Sequence, residues 1–349
     1  MTAPRRGLGD SRSAGVTRSR SVLGIDLGGT KVAAAVVDER GHPHGMRRRF
    51  DRAWRGARPV VDDIVATAEE AIDSATVRPS VVGIGVAGQI DPVDGSVRYA
   101  PNLRWRDVPL GRLLARRLGA RVVVVNDGRA ATFGEATTGA ARRVRDVLCV
   151  WTGTGIGGGI VSGGRLLDGA SNAAGEIGHS TLVAGGRKCT CPRRGCLEAY
   201  VGGWAIAARA REAAARSPGA SRTLVEIAGS VRRITAGTVS TAAARGDRFA
   251  RGLDRETGRL LADGVVGLVN ALNPRRVVLG GGLIDHHPEW VAVVDAAVRR
   301  RPQPPAARVV RAVGSRLGTD AVLIGAALWA GRQGTEPAER LAPNLRRMR

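Results

Sequence analysis

Gly24-Ile25-Asp26-Leu27-Gly28-Gly29-Thr30-Lys31 runs between two apolar segments, Val22–Leu27 and Val32–Val37. Each segment is too short for a buried helix, and the glycines punctuate them, so two strands joined by a tight turn are implied. The setting is strand to strand rather than strand to helix, and the spacing is not that of a Walker loop. Two readings fit these residues equally. Paired glycines let backbone N–H groups approach a phosphate, with a hydroxyl from Thr30 and Asp26 to orient a hydrated Mg²⁺. Alternatively the segment is a hairpin whose buried Asp bonds the turn.

Working outward, the turn-rich Arg40-Gly41-His42-Pro43 and a third strand at about Met46–Asp51 extend the pair into an antiparallel meander. Pro59–Ala75 then spaces Val60, Val61, Ile64, Val65, Ala68 and Ile72 at helical intervals. A strand at Val81–Val86, a helix at about Val108–Leu118 and a strand at Val122–Val125 follow, which predicts a mixed sheet with parallel members. The pattern restarts at Val147–Trp151 and Gly158–Val161, joined by Thr152-Gly153-Thr154-Gly155-Ile156-Gly157-Gly158-Gly159. A glycine-rich hairpin can be merely structural, but one in each half sets two phosphate cradles where they can face across a cleft. Asp247 caps a long helix ending at Leu272, and strands at Val277–Leu279 and Val309–Val313 come after it. Gly280-Gly281-Gly282 ends the first of these strands, where α/β sheets commonly bind nucleotides. Two similar α/β lobes are expected, with a last helix at about Thr319–Ala330 returning to the first.

The chain has 349 residues, 54 Lys+Arg against 31 Asp+Glu, and a net charge of +23. Only Lys31 and Lys188 are lysines, and the arginines are spread along the whole length without interleaved aromatics. That distribution reads as a bias toward Arg rather than a nucleic-acid surface. The longest uncharged stretch, Val147–Gly164, contains seven glycines and does not suit a transmembrane helix. No secretion signal is read, and a cytoplasmic location is expected. Residues 1–20 and 333–349 read as flexible basic tails. Cys189, Cys191 and Cys196 crowd together, which suits a metal in a reducing compartment better than a disulfide framework, or else three free thiols in a loop. Cys149 lies in an apolar strand and reads as core.

Taken in order, Asp26–Lys31, Asn126-Asp127, Thr152–Gly159, Gly175-Glu176-Ile177-Gly178-His179, Cys189–Cys196 and Gly280–Gly282 resemble the motifs of the ROK sugar kinases and repressors, of the actin-like ATPase superfamily. The resemblance covers about residues 21–332. It implies a two-lobed, ribonuclease H-like α/β fold closing on ATP and a sugar. A small lobe would span 21–125, completed by the helix at 319–332, and a large lobe 126–318 with a zinc knuckle at 179–196.

The resemblance also assigns roles. Asp127 would be the catalytic base, taking the proton of a hexose hydroxyl as it attacks the γ-phosphoryl group of Mg-ATP; the plainer role for Asn or Asp there is a helix cap. Asp26, Gly28, Gly29, Thr30, Lys31, Thr152, Gly153, Thr154, Gly155, Gly280, Gly281 and Gly282 would bind the nucleotide. Gly88, Asn102, Asn126, Asp127, Glu176, His179 and Glu198 would meet the sugar. His179 with Cys189, Cys191 and Cys196 would hold a structural zinc ion. The implied activity is glucose to glucose 6-phosphate; N-acetylhexosamine kinases share these features, and sugar-sensing repressors are the other class. About 20 residues precede Val22, fewer than a helix-turn-helix module needs, which favours the kinase. Relatives are often dimers or tetramers, and polyphosphate is a conceivable alternative donor. Two departures stand out: Pro192 where the family usually has Gly, and Gly128-Arg129 where many relatives have Ala-Asn.

Overall fold

The computed structural model describes residues 21–29, 31–50 and 56–333. The expected tails at 1–20 and 334–349, and Thr30, lie outside these residues; Gln333, assigned to the tail on sequence, is the last residue of a helix. In chain order the first part comprises β1 (Val22–Leu27), β2 (Lys31–Val37), β3 (Pro43–Phe50), α1 (Ala57–Ala75), β4 (Val81–Val86), β5 (Gln89–Ile90), β6 (Val97–Ala100), β7 (Trp105–Val108), α2 (Leu110–Leu118), β8 (Arg121–Asn126) and α3 (Asp127–Thr137). The second comprises β9 (Val147–Thr152), β10 (Ile156–Ser162), β11 (Arg165–Leu166), α4 (Glu198–Val201), α5 (Gly203–Arg216), α6 (Arg222–Ala228), α7 (Ala236–Ala244) and α8 (Arg248–Leu272). After it come β12 (Arg276–Gly280), α9 (Gly282–His286), α10 (Glu289–Val298), α11 (Pro304–Val309), β13 (Arg311–Gly314) and α12 (Ala321–Gln333).

Two five-stranded sheets carry these elements, in the orders β3-β2-β1-β4-β8 and β11-β10-β9-β12-β13. In both, the first three strands are antiparallel and the last two join in parallel, so one topology occurs twice. The sequence anticipates the meander and both glycine hairpins. It misses the small β5-β6-β7 sheet, whose strands are two to four residues long, too short for a period to register. Val108, expected to start a helix, ends β7 instead, and Val309, expected in a strand, ends α11.

Each sheet makes its own core. α1 buries Val60, Val61, Ile64, Ala68 and Ile72 against Leu23, Ile25, Val32 and Ile84, each large apolar side chain contributing about 1.5–3 kcal/mol. α8 buries Leu253, Leu261, Val265 and Val269 in the core around the second sheet, and Asp247 caps it by accepting from the Ala250 N–H at 2.8 Å. His287 ties α7, α8 and α10 together: it bonds Asp254 at 2.9 Å and Ser240 at 2.6 Å and stacks on Trp290.

α12 crosses back to the first sheet, where Leu323, Ile324, Ala327 and Ala330 pack on Val22, Ala33, Ala35 and Val37. It also packs along α3, with Trp329 edge-on to Phe133. Fully buried Glu135 on α3 fastens the chain leading into α12: one carboxylate oxygen accepts from Ser315 Oγ and from the backbone of Arg316 and Leu317, the other from the Ala140 N–H.

Candidate active site

β8 ends and α3 begins between Asn126 and Asp127. Asn126 takes the cap, its Oδ1 accepting from the Arg129 N–H at 3.1 Å while its Nδ2 donates to the Gly88 carbonyl at 3.2 Å. The capping role that competed for Asp127 is therefore filled by its neighbour. Asp127 itself accepts from the Gly128 N–H at 2.8 Å. Burial raises its pKa above the usual carboxylate range, the Gly128 bond opposes this, and the nearby Glu176 carboxylate adds to the rise. The first turn of α3 presses onto β10: a Cβ on Gly128 would lie 2.8 Å from the Gly158 carbonyl oxygen, so only glycine fits. Asp127 is thereby placed between the two sheets.

Asp26 near the end of β1 joins this acidic centre. Burial, then the Asp127 charge, push its pKa up to about 7, with Lys31 opposing. Two buried carboxylates, one of them felt by the other, suit a site that receives a cation, since a bound positive charge would relieve both the repulsion and the desolvation.

Beside Asp127 opens a cavity of about 260 Å³, lined among others by Gly88, Ile90, Asp91, Asn126, Arg129, Asn172 and Glu176. Of the residues expected to meet a sugar, Gly88, Asn126 and Glu176 line it. Asn102, Asp127, His179 and Glu198 are not part of that lining; Asp127 adjoins it as the residue after Asn126. Asn102 lies against the first glycine turn, where a Cβ on Gly29 would sit 3.7 Å from its own. Glu198 is buried and accepts from Ile156 N–H at 2.9 Å, Thr190 Oγ1 at 2.9 Å and Trp204 Nε1 at 3.1 Å. Its carboxylate props the second glycine loop, where the N–H of Ile156 and two side-chain donors converge on it.

The nucleotide candidates form two groups. Thr152 Oγ1 donates to the Gly280 carbonyl at 3.2 Å, and Gly281, at φ 93°, lies so close that a Cβ would be 2.4 Å from the Thr152 carbonyl oxygen. The Thr152–Gly155 tip and the Gly280–Gly282 run are thus one surface, with space open above Gly153 and Gly282. The Gly28–Lys31 turn belongs to the other sheet and is closed by Gly28 N–H to Lys31 carbonyl at 3.0 Å.

The knuckle is brought together as expected. The ligand atoms of His179, Cys189, Cys191 and Cys196 all lie within 4.8 Å of one another. The Cys191–Cys196 sulfur separation is 3.7 Å, and His179 Nδ1 is 3.7 Å from the Cys189 sulfur. Tetrahedral zinc with about 2.3 Å bonds to sulfur sets sulfurs about 3.8 Å apart, so this donor set fits that ion. Burial and the neighbouring thiols push Cys196 up to about 12, so a dication is what would let these sulfurs ionise together.

Two further residues shape the cavity, of which Asp91 escapes sequence reasoning and Arg129 stands out in it only as a departure from the family pattern. Asp91 bonds Arg98 at 2.6 Å and, through an Asx turn, the Val93 N–H at 2.8 Å; the Arg98 bond, then the Val93 bond, hold its pKa below the usual range. The turn signature Asp91-Pro92-Val93-Asp94-Gly95 was the available signal. Arg129 is buried and pairs with Asn172 and Asp168, and burial lowers its pKa to about 10, leaving it charged at neutral pH.

Comparison with known proteins adds identity to this geometry. The ROK family profile matches residues 22–333. The chain belongs to the ROK family. A glucokinase from Streptomyces coelicolor is 34% identical over 315 residues, covering 87% of this chain and 96% of its own. An N-acetylmannosamine kinase from Citrobacter koseri is 31% identical over 321 residues, covering 89% and 98%. The crystal structure of a ROK family glucokinase from Streptomyces griseus with glucose and AMPPNP superposes with a TM-score of 0.77 at 35% identity, covering 90% of this chain and all of that one. The doubled sheet topology is accordingly the two-lobed actin-like ATPase fold. Among the described residues no helix is long and apolar enough to cross a membrane.

Proposed function

We propose that this protein is an ATP-dependent hexose kinase that converts glucose and ATP to glucose 6-phosphate and ADP. The observation that carries this reading is the position of Asp127: its carboxylate opens α3 between the two sheets, next to a cavity lined by Gly88, Asn126 and Glu176. The sugar lies in that cavity, its hydroxyls met by the Asn126 amide and the Glu176 carboxylate, with Asn102, His179 and Glu198 meeting it from the surrounding loops. Asp127 accepts the proton of the attacking hydroxyl as its oxygen bonds the γ-phosphorus and the bond to the β-γ bridging oxygen of ATP breaks. Thr152–Gly155 and Gly280–Gly282 cradle phosphates from one side, and Gly28, Gly29, Thr30 and Lys31 from the other. Asp26 orients the hydration of the Mg²⁺ that ATP brings, which neutralises charge on the transferring group.

Residues 21–125 with 319–332, and residues 126–318, are the bodies that close on the substrates and exclude water. His179, Cys189, Cys191 and Cys196 hold a structural zinc ion, and His179 Nδ1 faces the cysteines, which leaves Nε2 for the sugar. The setting we infer is the reducing cytoplasm. An N-acetylhexosamine kinase is the second reading, favoured by the Citrobacter relative's similarity over nearly its full length. ADP release with Mg-ATP against glucose, mannose, N-acetylglucosamine and N-acetylmannosamine tests both. Highest kcat/KM on glucose supports the first reading, preference for an acetamido sugar selects the second, and sugar binding without turnover points to a sensor.

A further inference from the structure

Arg129 lines the cavity beside Asn126 and Glu176, yet its side chain is only 5% exposed. Nη1 donates to the side-chain oxygen and to the carbonyl of Asn172, and Nη2 pairs with Asp168. Asn172, at a left-handed φ of 59°, donates in turn from Nδ2 to the Ile90 carbonyl at 2.9 Å. A strap results that joins the foot of α3, the loop after β11 and the end of β5 along one wall of the cavity. It is anchored two residues from Asp127 and four from Glu176 in sequence. Arg129 Nε has no protein partner, so the guanidinium is not saturated by the packing around it. A surface arginine yields to a ligand by rotating away. This one has both terminal nitrogens bonded and is enclosed, so the wall it forms is stiff.

We propose that Arg129, strapped to Asn172, is a specificity-determining residue that limits the cavity to hexoses bearing simple hydroxyls and excludes 2-acetamido sugars. The proposal rests on the hexose kinase reading above. The cavity, about 260 Å³, lies below the roughly 300–1,000 Å³ of pockets for drug-sized ligands and is on the scale of a single sugar, so the position of its walls decides which substituents fit. An acetamido group exceeds a hydroxyl by about three non-hydrogen atoms. An asparagine side chain is shorter than an arginine by the same number, so Arg129→Asn vacates a comparable space while keeping a polar group at the wall. A pocket wall that rejects one small extra group discriminates by roughly 10–200-fold.

The test compares wild type, Arg129→Asn and Arg129→Lys for kcat/KM on glucose and on N-acetylglucosamine, together with the thermal shift that each sugar gives each protein. The expected result is a glucose preference that moves toward the acetamido sugar by about tenfold or more in Arg129→Asn, chiefly through KM, with Arg129→Lys between. A ratio within twofold of wild type, or equal loss on both sugars, overturns the proposal. If wild type turns over no hexose, the kinase reading fails separately. The thermal shifts then decide this proposal: a relative gain for N-acetylglucosamine in Arg129→Asn supports it, and unchanged relative shifts overturn it.

Discussion

The two sheets share one strand order but equip their glycine hairpins differently. The β1–β2 turn brings Asp26 and Lys31, and the first sheet also delivers Asp127 at the end of β8; the β9–β10 turn brings the Thr152 hydroxyl, bare backbone and the adjoining Gly280–Gly282 run. The first glycine turn therefore stands beside ionisable acids with raised pKa values, and the second turn itself carries neutral donors. Their insertions differ as well. Between β4 and α2 the first half adds the small β5-β6-β7 sheet, which supplies Ile90 and Asp91 to the cavity wall. Between β11 and α8 the second half adds the cysteine knuckle and four helices. A repeated scaffold is thus decorated differently in its two copies, with buried acids beside the first glycine turn and bare backbone and a hydroxyl at the second.

The largest effect should come from breaking the second half at its knuckle. Stripping the metal, or Cys191→Ser, is expected to lower the melting temperature by roughly 10 °C or more, because structural zinc binding is coupled to folding. Metal analysis and melting curves check this; a zinc-free preparation that melts like the untreated protein rules the metal out. A smaller effect of opposite sign sharpens the view of the first half. Asp26 has a folded-state pKa of about 7 against an ordinary 3.8, so the folded protein holds a proton that the unfolded chain has released. Stability from this group is full below pH 4 and is lost as pH rises toward 7, by up to about 4 kcal/mol. Asp26→Asn should remove that slope and stabilise the unliganded protein at pH 8 while depressing turnover. Denaturant midpoints from pH 4 to 8 for both proteins provide the check, and parallel curves would refute the burial argument.

Much of this was legible in the chain. The apolar runs of β1, β2, β4 and β8 and the spacing of Leu253, Leu261 and Val265 follow from the periods that buried strands and helices impose. The knuckle was legible because its ligands are crowded within 18 residues. What escaped depends on partners distant in sequence. Glu135 meets Ser315 180 residues away, and Arg129 meets Asn172 at a separation of 43, so no local pattern signals either. Glu198 shows a different limit: a motif names the residue, but only the fold decides that three protein donors claim its carboxylate.

The central claim, that Asp127 is the base between an acidic and a neutral half-site, is tested most directly by Asp127→Asn. Glucose-dependent ADP release from Mg-ATP would be measured alongside glucose binding by calorimetry. The account predicts retained binding with kcat reduced by roughly 10²–10⁴-fold, the range for a lost general base. Turnover within a few-fold of wild type, with binding intact, would contradict it.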